Sequence, residues 1–337
     1  MLILAIETSC DETSAAVVEN GWKVHSNIIA SQVEIHAKTG GVIPEVAARE
    51  HVLKIIPVID QALKEANKTL NDIDAIAVTS HPGLISSLLI GTNTASTLAL
   101  LNNKILIPVN HIHGHIYSNW LSVENPRKIK FPILILTVSG GHNEIIYMKD
   151  HHEFEIIGET RDDAAGEAFD KVARMLGLGY PGGPEIAKAA KSGNPKKIKF
   201  PIANLGKNSF DFSFSGLKTA VLYEIKQKDK TQQYICDIAS CFQEAVTEAL
   251  SQKLILAAQK YKVEEIHLAG GVSANIELRE KIIRKIQELD SKSTFRHPEH
   301  ISYCTDNAAM IASAAYFQYK KNPEKYKEWR NIIAKPN

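Results

Sequence analysis

A histidine-rich segment is the part of the sequence whose residue types and spacing most directly suggest chemistry. It runs His111-Ile-His-Gly-His115 and follows a strand-like stretch at 105–109. If the segment forms a helical turn, the four-residue spacing places His111 and His115 on one face, where two imidazoles can chelate a metal ion. His113 would then point elsewhere. The pattern favours a metal site over histidines that only pack or face solvent.

Two histidines need a further ligand, and the best candidate is Asp306, which lies just before a helical pattern at 308–319. A carboxylate at the start of a helix is also a common N-cap. The residues alone leave ligation and capping equally open. Two imidazoles with one carboxylate suit iron or zinc and leave coordination positions free for substrate or water.

Acidic side chains occur near turns in both halves of the chain. In the first half they are Glu7, Asp11 and Glu12, and in the second half they are Asp162, Asp163 and Asp170. We expect both sets to face a cleft. For Asp162 and Asp163 the preferred interpretation is N-capping of the helix predicted at 164–176.

Glycine-bearing turns occur at 139–143, 177–184 and 270–275. Glycine lets backbone N–H groups approach a phosphate without a side chain in the way, and the third turn precedes a helix whose N-terminus attracts anions. None of the turns matches a Walker A loop or a G-x-G-x-x-G fingerprint. The turn at 177–184 is so rich in glycine and proline that we predict a rigid loop without regular structure.

The elements that carry these residues occur twice. A strand, a turn and a returning strand are predicted at 2–18 and again at 131–148. A strand, a tight turn and a helix are predicted at 72–101 and again at 263–289. The repeated order predicts two duplicated α/β lobes that face each other across a cleft.

Other segments predict packing and surface. Amphipathic patterns at 45–66 and 235–260 predict helices, and Pro57 marks a kink or a boundary in the first. Lysine-rich segments at 191–207 and 319–337 predict exposed basic surface that either is simply solvated or contacts a phosphate backbone.

Composition limits the class of protein. The 337 residues, 44% of them hydrophobic, are enough for two domains, and a formal charge of +1 excludes the global basic field of a non-specific nucleic-acid binder. The 4 cysteines form no C-x-x-C pair, which is typical of a reducing compartment. No apolar run reaches the roughly 20 residues that span a membrane, and Met1 leads into a strand without a basic leader. We therefore expect a cytoplasmic protein.

Several ordered motifs together resemble one known family. They are Ile6-Glu-Thr-Ser-Cys-Asp-Glu-Thr-Ser14, Gly40-Gly-Val-Ile-Pro-Glu-Val-Ala-Ala-Arg49, the His111/His115 motif, Ser139-Gly-Gly-His142, Gly179-Tyr-Pro-Gly-Gly-Pro184, Phe212-Ser-Phe-Ser-Gly-Leu-Lys218 and Gly270-Gly-Val-Ser-Ala-Asn275. Over residues 4–317 the chain resembles the bacterial type of tRNA threonylcarbamoyladenosine transferase, a family formerly regarded as sialoglycoproteases.

The resemblance implies an α/β fold of two duplicated actin-like, ribonuclease H-like lobes with a central cleft, as in sugar kinases. This architecture agrees with the internal repeat. We expect 1–128 together with a C-terminal helix at 318–337 to form one lobe, and 129–317 to form the other.

The same resemblance implies site residues. His111, His115 and Asp306 would hold one metal ion per subunit, iron(II) or alternatively zinc. Ala187 stands where some relatives carry an aspartate that contacts the nucleotide ribose, so that contact is not implied for this chain. The residues implied to bind the adenylate substrate are Thr137, Val138, Ser139, Gly140, Gly141, Asp170, Gly183 and Asn275.

The implied reaction is attack by the exocyclic amine of the adenosine at position 37 of ANN-decoding tRNAs on the carbamoyl carbon of threonylcarbamoyl-AMP, which releases AMP. We predict that Asp11 or Glu12 orients the amine or accepts its proton. The implied partners are tRNA, a smaller inactive paralogue of the same fold and a small P-loop ATPase.

Other functions are weighed against this one. A metalloendopeptidase would need H-E-x-x-H or its inverse, but Gly114 precedes His115. A small-molecule kinase of the actin-like superfamily has no need for the histidine pair. A non-catalytic scaffold, such as the inactive paralogue, has no reason to retain His111, His115 and Asp306.

Overall fold

The computed structural model describes residues 1–122, 124–226, 231–289, 292–326 and 332–336. The strands in chain order are β1 (Leu2–Glu7), β2 (Glu12–Glu19), β3 (Lys23–Ser31), β4 (Ala75–His81), β5 (Ile105–Asn110), β6 (Ile133–Val138), β7 (Asn143–Met148), β8 (Phe154–Glu159), β9 (Glu265–Ala269) and β10 (Thr294–Arg296). The α-helices are α1 (Val33–Ala37), α2 (Pro44–Glu65), α3 (Ile85–Leu101), α4 (His111–Tyr117), α5 (Ala165–Met175), α6 (Gly182–Ala190), α7 (Ser215–Lys226), α8 (Gln232–Tyr261), α9 (Ile276–Glu288) and α10 (Ala308–Lys321).

The chain divides into two compact units, one of 1–129 with 298–337 and one of 130–297. The chain therefore returns to the first unit at residue 298. This is earlier than predicted, because the prediction placed residues up to 317 in the second lobe. The reason is that α10 packs against β1 and β2 of the first unit and carries a buried apolar face there.

The first unit is built on a mixed sheet in the order β3-β2-β1-β4-β5. β1 pairs antiparallel with β2 and parallel with β4, and β4 pairs parallel with β5. Successive side chains of a strand point to opposite faces. One face, which includes Leu4, Ile6 and Val78, is buried with residues of α2 and α3. The helix α10 also packs on this sheet, mainly against β1 and β2.

The second unit is built on a mixed sheet in the order β10-β9-β6-β7-β8. β6 pairs antiparallel with β7 and parallel with β9, so its connections repeat those of β1. Its core joins the sheet to α5 and α8, where Phe169 and Phe242 meet edge to face. The α/β fold and the internal repeat predicted from the sequence are therefore confirmed.

The structure corrects or refines three local predictions. α2 continues through Pro57, so this proline marks no helix boundary. The loop predicted at 177–184 ends early because α6 begins at Gly182, and Pro184 is tolerated in its first turn, where a backbone N–H has no helical partner. The turn within the hairpin predicted at 2–18 is short, since β1 extends to Glu7 and β2 begins at Glu12.

The lysine-rich segments differ in what the structure describes. Lys196, Lys197 and Lys199 are exposed and lie outside helices and strands, as predicted. The C-terminal helix predicted at 318–337 is wrong beyond Lys321, where α10 ends, because the described residues 332–336 are not helical. Residues 327–331, with Lys327 and Arg330, lie outside the described residues. No helix in the described part of the chain combines the length and the apolar character needed to cross a membrane.

Candidate functional site

The histidine pair is positioned by the junction between β5 and α4. The Asn110 side chain accepts hydrogen bonds from the backbone N–H groups of Ile112 at 2.8 Å and His113 at 3.1 Å, which starts the helix at His111. His111 and His115 then lie one turn apart with their ring centroids 4.6 Å apart. The predicted helical turn is confirmed, and both imidazoles share one face.

Asp306 lies beside this pair. Its Oδ1 atom is 3.2 Å from His115 Nε2 and 3.5 Å from His111 Nε2. The N-cap of α10 is Asn307, whose side chain accepts a hydrogen bond from the Met310 N–H at 3.1 Å. Capping by Asp306 is therefore wrong, and its carboxylate faces the imidazoles instead.

Close packing of α4 against α10 brings the carboxylate to the histidines. A Cβ atom on Gly114 would lie 2.6 Å from Ile311 Cδ1 and 3.2 Å from Met310 Cγ. The start of α10 is also tied to β2, because the Ala308 N–H donates to Ser14 Oγ at 2.9 Å. A larger residue before His115 would have to displace these α10 side chains, so glycine at position 114 suits the close approach of the two helices.

The three side chains fit a metal ion by their donor set and burial. One ligand atom from each of His111, His115 and Asp306 can be chosen so that all lie within 4.8 Å of one another. His115 is fully buried, and its Nδ1 makes no hydrogen bond within the described part of the chain. A buried histidine facing a carboxylate and a second imidazole is the donor set that iron and zinc bind.

The charges at this cluster shift both imidazoles. Burial alone would lower the pKa of His111, but the negative charges of Asp306 and Glu7 outweigh it and raise that pKa to about 9. Burial and the neighbouring His111 charge lower the pKa of His115. Because metals bind neutral imidazole, metal binding at neutral pH would release a proton from His111.

The turn between β1 and β2 ends at Asp11, and Glu12 is the first residue of β2, so the two predicted catalytic carboxylates are neighbours there. Its carbonyl oxygens are held in succession: Ser9 O by the Leu84 N–H at 2.8 Å, Cys10 O by His51 Nε2 at 3.0 Å and Asp11 O by the Gln32 N–H at 3.1 Å. The turn that carries Asp11 is therefore fixed by three separate elements.

The two carboxylates of this turn resist ionisation. Burial, and then the charge of Asp11, raise the pKa of Glu12 to about 8, although its Oε1 accepts a hydrogen bond from Ser31 Oγ at 2.8 Å. Burial and the charge of Asp306 raise the pKa of Asp11. Several negative groups thus share one partly buried region of the first unit, and a cation there would relieve their repulsion.

His51 is a site residue that the sequence analysis did not name. It is fully buried on the face of α2 that also holds Ala47 and Ile55. Its Nε2 donates to Cys10 O, so its Nδ1 accepts from Thr13 Oγ1, at 2.8 Å. A polar residue in the apolar repeat of a helix was the available signal, because such a side chain needs partners in the core.

In the second unit, the glycine turn after β6 leaves open backbone. The Ser139 N–H donates to His142 O at 2.8 Å, which closes the turn, and a Cβ atom on Gly140 or Gly141 would meet nothing within 4 Å. Thr137 is fully buried, and its Oγ1 has no hydrogen-bond partner in the described ranges. Gly270 has a φ of +84°, and a Cβ there would lie 2.4 Å from Val138 O, so only glycine permits this approach.

The other predicted substrate residues of this unit have structural partners. Asp170 Oδ1 accepts a hydrogen bond from the Gly182 N–H at 2.7 Å, whereas space around the Cα of Gly183 is open. Asn275 caps α9: its Oδ1 accepts from the Leu278 N–H at 3.0 Å, and its Nδ2 donates to Gln243 at 3.0 Å.

Asp162 and Asp163 do not cap α5, contrary to the sequence prediction. The α5 N-cap position is Ala164, which makes no side-chain cap. Asp162 Oδ1 instead accepts from the Phe214 N–H at 2.8 Å at the start of α7, and Asp163 forms ion pairs with Lys218 and with Lys171. Residues of the motif at 212–218, at the start of α7, therefore hold the loop that carries Asp162 and Asp163.

Comparison with known proteins gives the family. The profile described as tRNA N6-adenosine threonylcarbamoyltransferase, TsaD, matches residues 23–313. An enzyme of that name from Clostridium botulinum (strain 657 / Type Ba4) is 54% identical over 321 residues, which cover 95% of this chain and 93% of the relative. One from Clostridium perfringens (strain SM101 / Type A) is 50% identical and covers 100% of this chain and 97% of its own.

Among solved structures, HypF from T. kodakarensis aligns with a TM-score of 0.64 at 16% identity, over 98% of this chain and 49% of that one. At this identity the likeness concerns the fold alone. Two mixed sheets with the same repeated connections define an α/β protein of the actin-like class, and its first unit carries a candidate histidine and aspartate metal site. The chain belongs to the tRNA N6-adenosine threonylcarbamoyltransferase family, as the sequence motifs predicted.

Proposed function

We propose that this chain transfers the threonylcarbamoyl group of threonylcarbamoyl-AMP to the exocyclic amine of adenosine 37 in ANN-decoding tRNAs, with release of AMP. The family supports the reaction. The structural observation that supports it most is that His111, His115 and Asp306 converge. Asp11 and Glu12 belong to the same unit.

The three converging side chains would hold one metal ion, iron(II) or zinc. The buried nitrogen atoms of His115 and the facing carboxylate of Asp306 support this assignment. When bound, such an ion supplies Lewis-acid stabilisation of negative charge and a template for the substrate. The residues of the chain supply the remaining chemistry.

Asp11 and Glu12 are the proposed proton acceptors or orienting groups for the attacking amine. A general base works best when its pKa lies near the working pH. Burial raises the pKa of both carboxyl groups, and so does the negative charge of Asp306 on Asp11 and of Asp11 on Glu12. The Glu12 Oε2 atom is buried and makes no hydrogen bond within the described residues, so it is available to an incoming N–H group.

The glycine turns of the second unit are the proposed adenylate site. Gly140, Gly141 and Gly183 leave backbone exposed without a side chain in the way. Backbone N–H groups aimed at a phosphate stabilise the negative charge that develops as AMP leaves. Thr137, Val138, Ser139, Asp170 and Asn275 complete the proposed set, with Asp170 and Asn275 holding the shape of their loops.

Partner proteins are also part of the proposal. Exposed apolar side chains on neighbouring helices, Val52, Leu53 and Ile56 on α2 with Ile85 and Leu89 on α3, support association with another chain, here the smaller inactive paralogue. A small P-loop ATPase is the second proposed partner. The exposed lysines at 196, 197 and 199 are candidate tRNA contacts, and the free cysteines are in keeping with the cytoplasm as the place of reaction.

The test is direct. Purified protein, the two partners, threonylcarbamoyl-AMP and unmodified tRNA are incubated, and the nucleosides are analysed by mass spectrometry. We expect threonylcarbamoyladenosine with the wild-type protein, far less with Asp306→Asn protein, and none with a tRNA that carries guanosine at position 37. Unmodified adenosine in a mixture whose partners support another transferase would refute the proposal. ATP-dependent phosphorylation of a small molecule in its place would favour the kinase.

A further inference from the structure

We propose that Glu7 is the positioning residue of the metal centre: its carboxylate fixes the proton of His111 on Nδ1, so that Nε2 faces the ion with its lone pair. The inference rests on the metal site of the proposed function. It assigns a role to a carboxylate that is not itself one of the three converging ligands.

The sheet register places Glu7 beside the histidine. β1, β4 and β5 are adjacent parallel strands, with Ile6 paired to Val78 and Thr79 paired to Val109. Glu7 and Thr79 therefore end up side by side, and His111 follows the end of the third strand. Parallel strands present their carboxyl ends at one edge of a sheet, where sites are commonly built.

Glu7 is held there by contacts that suit a carboxylate. The side chain has no exposed surface, its Oε1 accepts a hydrogen bond from the Ser9 N–H at 2.5 Å, and its Oε2 accepts one from the Thr79 hydroxyl. The same Oε2 lies 3.2 Å from His111 Nδ1. An isolated buried carboxylate is costly, so its partners must satisfy it together.

The contacts of His111 fix its orientation. Nδ1 lies between Glu7 Oε2 and Ser9 Oγ, which is 3.1 Å away, and Nε2 lies 3.5 Å from Asp306 Oδ1. Since the Glu7 carboxylate can only accept at this position, Nδ1 is the donor, and the proton that metal binding would release is the one on Nε2, which would leave its lone pair to the ion. A carboxylate behind a histidine ligand holds the ring and raises its basicity toward the metal.

The second unit offers a matched control. Glu265 is also a buried carboxylate next to a buried histidine: its Oε2 lies 2.9 Å from His267 Nε2, and it pairs with Arg296 at 2.6 Å. It does not belong to the group of converging ligands found among the described residues. Glu265→Gln therefore disturbs a buried carboxylate and histidine pair without touching the proposed centre.

The experiment measures zinc affinity by competition with a chromogenic chelator, together with thermal unfolding of the metal-free proteins. Outer carboxylates of this kind typically contribute about 10- to 100-fold in metal affinity, so Glu7→Gln should lose that much while Glu265→Gln keeps the wild-type value. Unchanged zinc affinity in folded Glu7→Gln protein overturns the role of Glu7. A wild-type protein that binds no zinc or iron(II) overturns the metal site as well.

A measurement on the wild-type protein covers the case in which Glu7→Gln does not fold. Nitrogen-15 chemical shifts of the zinc-loaded protein should show His111 protonated at Nδ1 and metal-bound at Nε2. Metal bound at Nδ1, or a proton on Nε2, would contradict the inference without any substitution.

Discussion

The Oδ1 atom of Asp306 lies 3.2 Å from the Nε2 atom of His115, although the two residues belong to segments at opposite ends of the first unit's sequence. The contact exists only because α10 packs on α4 at Gly114. The candidate metal centre therefore depends on the packing of these two helices.

Removal of a ligand should abolish metal binding and most of the activity. His115→Ala and Asp306→Asn proteins should retain little metal by elemental analysis. If the ion contributes about 3 kcal/mol to the transition state, the rate should fall about 100-fold. His113→Ala is the control, because His113 shares the helix but not the cluster. Full activity in metal-free Asp306→Asn protein would contradict the metal site.

Short-range patterns in the sequence predicted the site better than long-range ones. The spacing of His111 and His115 determines their common face once a helix forms, so the sequence alone predicted that geometry. Asp306 remained ambiguous on the residues alone, because whether it caps α10 or turns to the histidines depends on packing between distant segments. The family resemblance, not the local pattern, favoured the ligand role.

The failed predictions have the same origin. Asp162 was assigned to the nearest helix, but its partners at the start of α7 lie 52 residues further along. Gly182 and Gly183 begin a helix despite their low helix propensity, since α6 packs on α5 and α8. Tertiary contacts overrode local preference in both cases. The boundary at 298 could not be predicted for the same reason, because it depends on the packing of α10 on the first unit.

His51 should matter to turnover without binding metal. His51→Ala removes the donor to Cys10 O and loosens the turn that carries Asp11 and Glu12. A displacement of about 1 Å can cost about 100-fold in rate, so kcat should fall about 10- to 100-fold while the KM for tRNA and the metal content change little. His25→Ala, which removes a contact with Glu19, is the control. An unchanged kcat would show that the turn holds without His51.

Gly182 and Gly183 should respond differently to alanine. A Cβ on Gly182 would lie 2.5 Å from Asp170 Cα and 2.6 Å from Phe169 O, so Gly182→Ala should cost about 1–3 kcal/mol in unfolding free energy. Gly183→Ala has open space, so its melting temperature should be retained. If Gly183 contacts the adenylate, its variant should instead show a KM for threonylcarbamoyl-AMP raised about tenfold or more. Two variants with the same melting temperature and KM would refute this division.

Asp162 should contribute stability through its cap of α7. Asp162→Ala removes the acceptor of the Phe214 N–H and of the Ser213 hydroxyl, the latter at 2.5 Å. Loss of an N-cap costs about 0.5–2 kcal/mol, and denaturant unfolding should show a lower midpoint by that amount. Glu264→Ala, at an exposed position outside the helices and strands, should unfold as the wild type does. Equal midpoints for the two variants would mean that the α7 cap is replaced by water at no cost.

Glu12 should make the metal-free protein less stable as the pH rises. Its pKa is about 8 in the folded chain and near 4.5 when unfolded, so between these values the folded state keeps a proton that the unfolded state loses. The stability that Glu12 confers is thus present below about pH 4.5 and is lost as the pH rises through about 8. Glu12→Gln cannot ionise, and its unfolding free energy should exceed that of wild type by about 1–3 kcal/mol more at pH 9 than at pH 5.

The exposed Glu34→Gln should show no such trend. Adding zinc should shrink the difference, because a nearby cation favours the ionised carboxylate. A Glu12→Gln advantage that is the same at both pH values would mean that folding does not raise the pKa of Glu12.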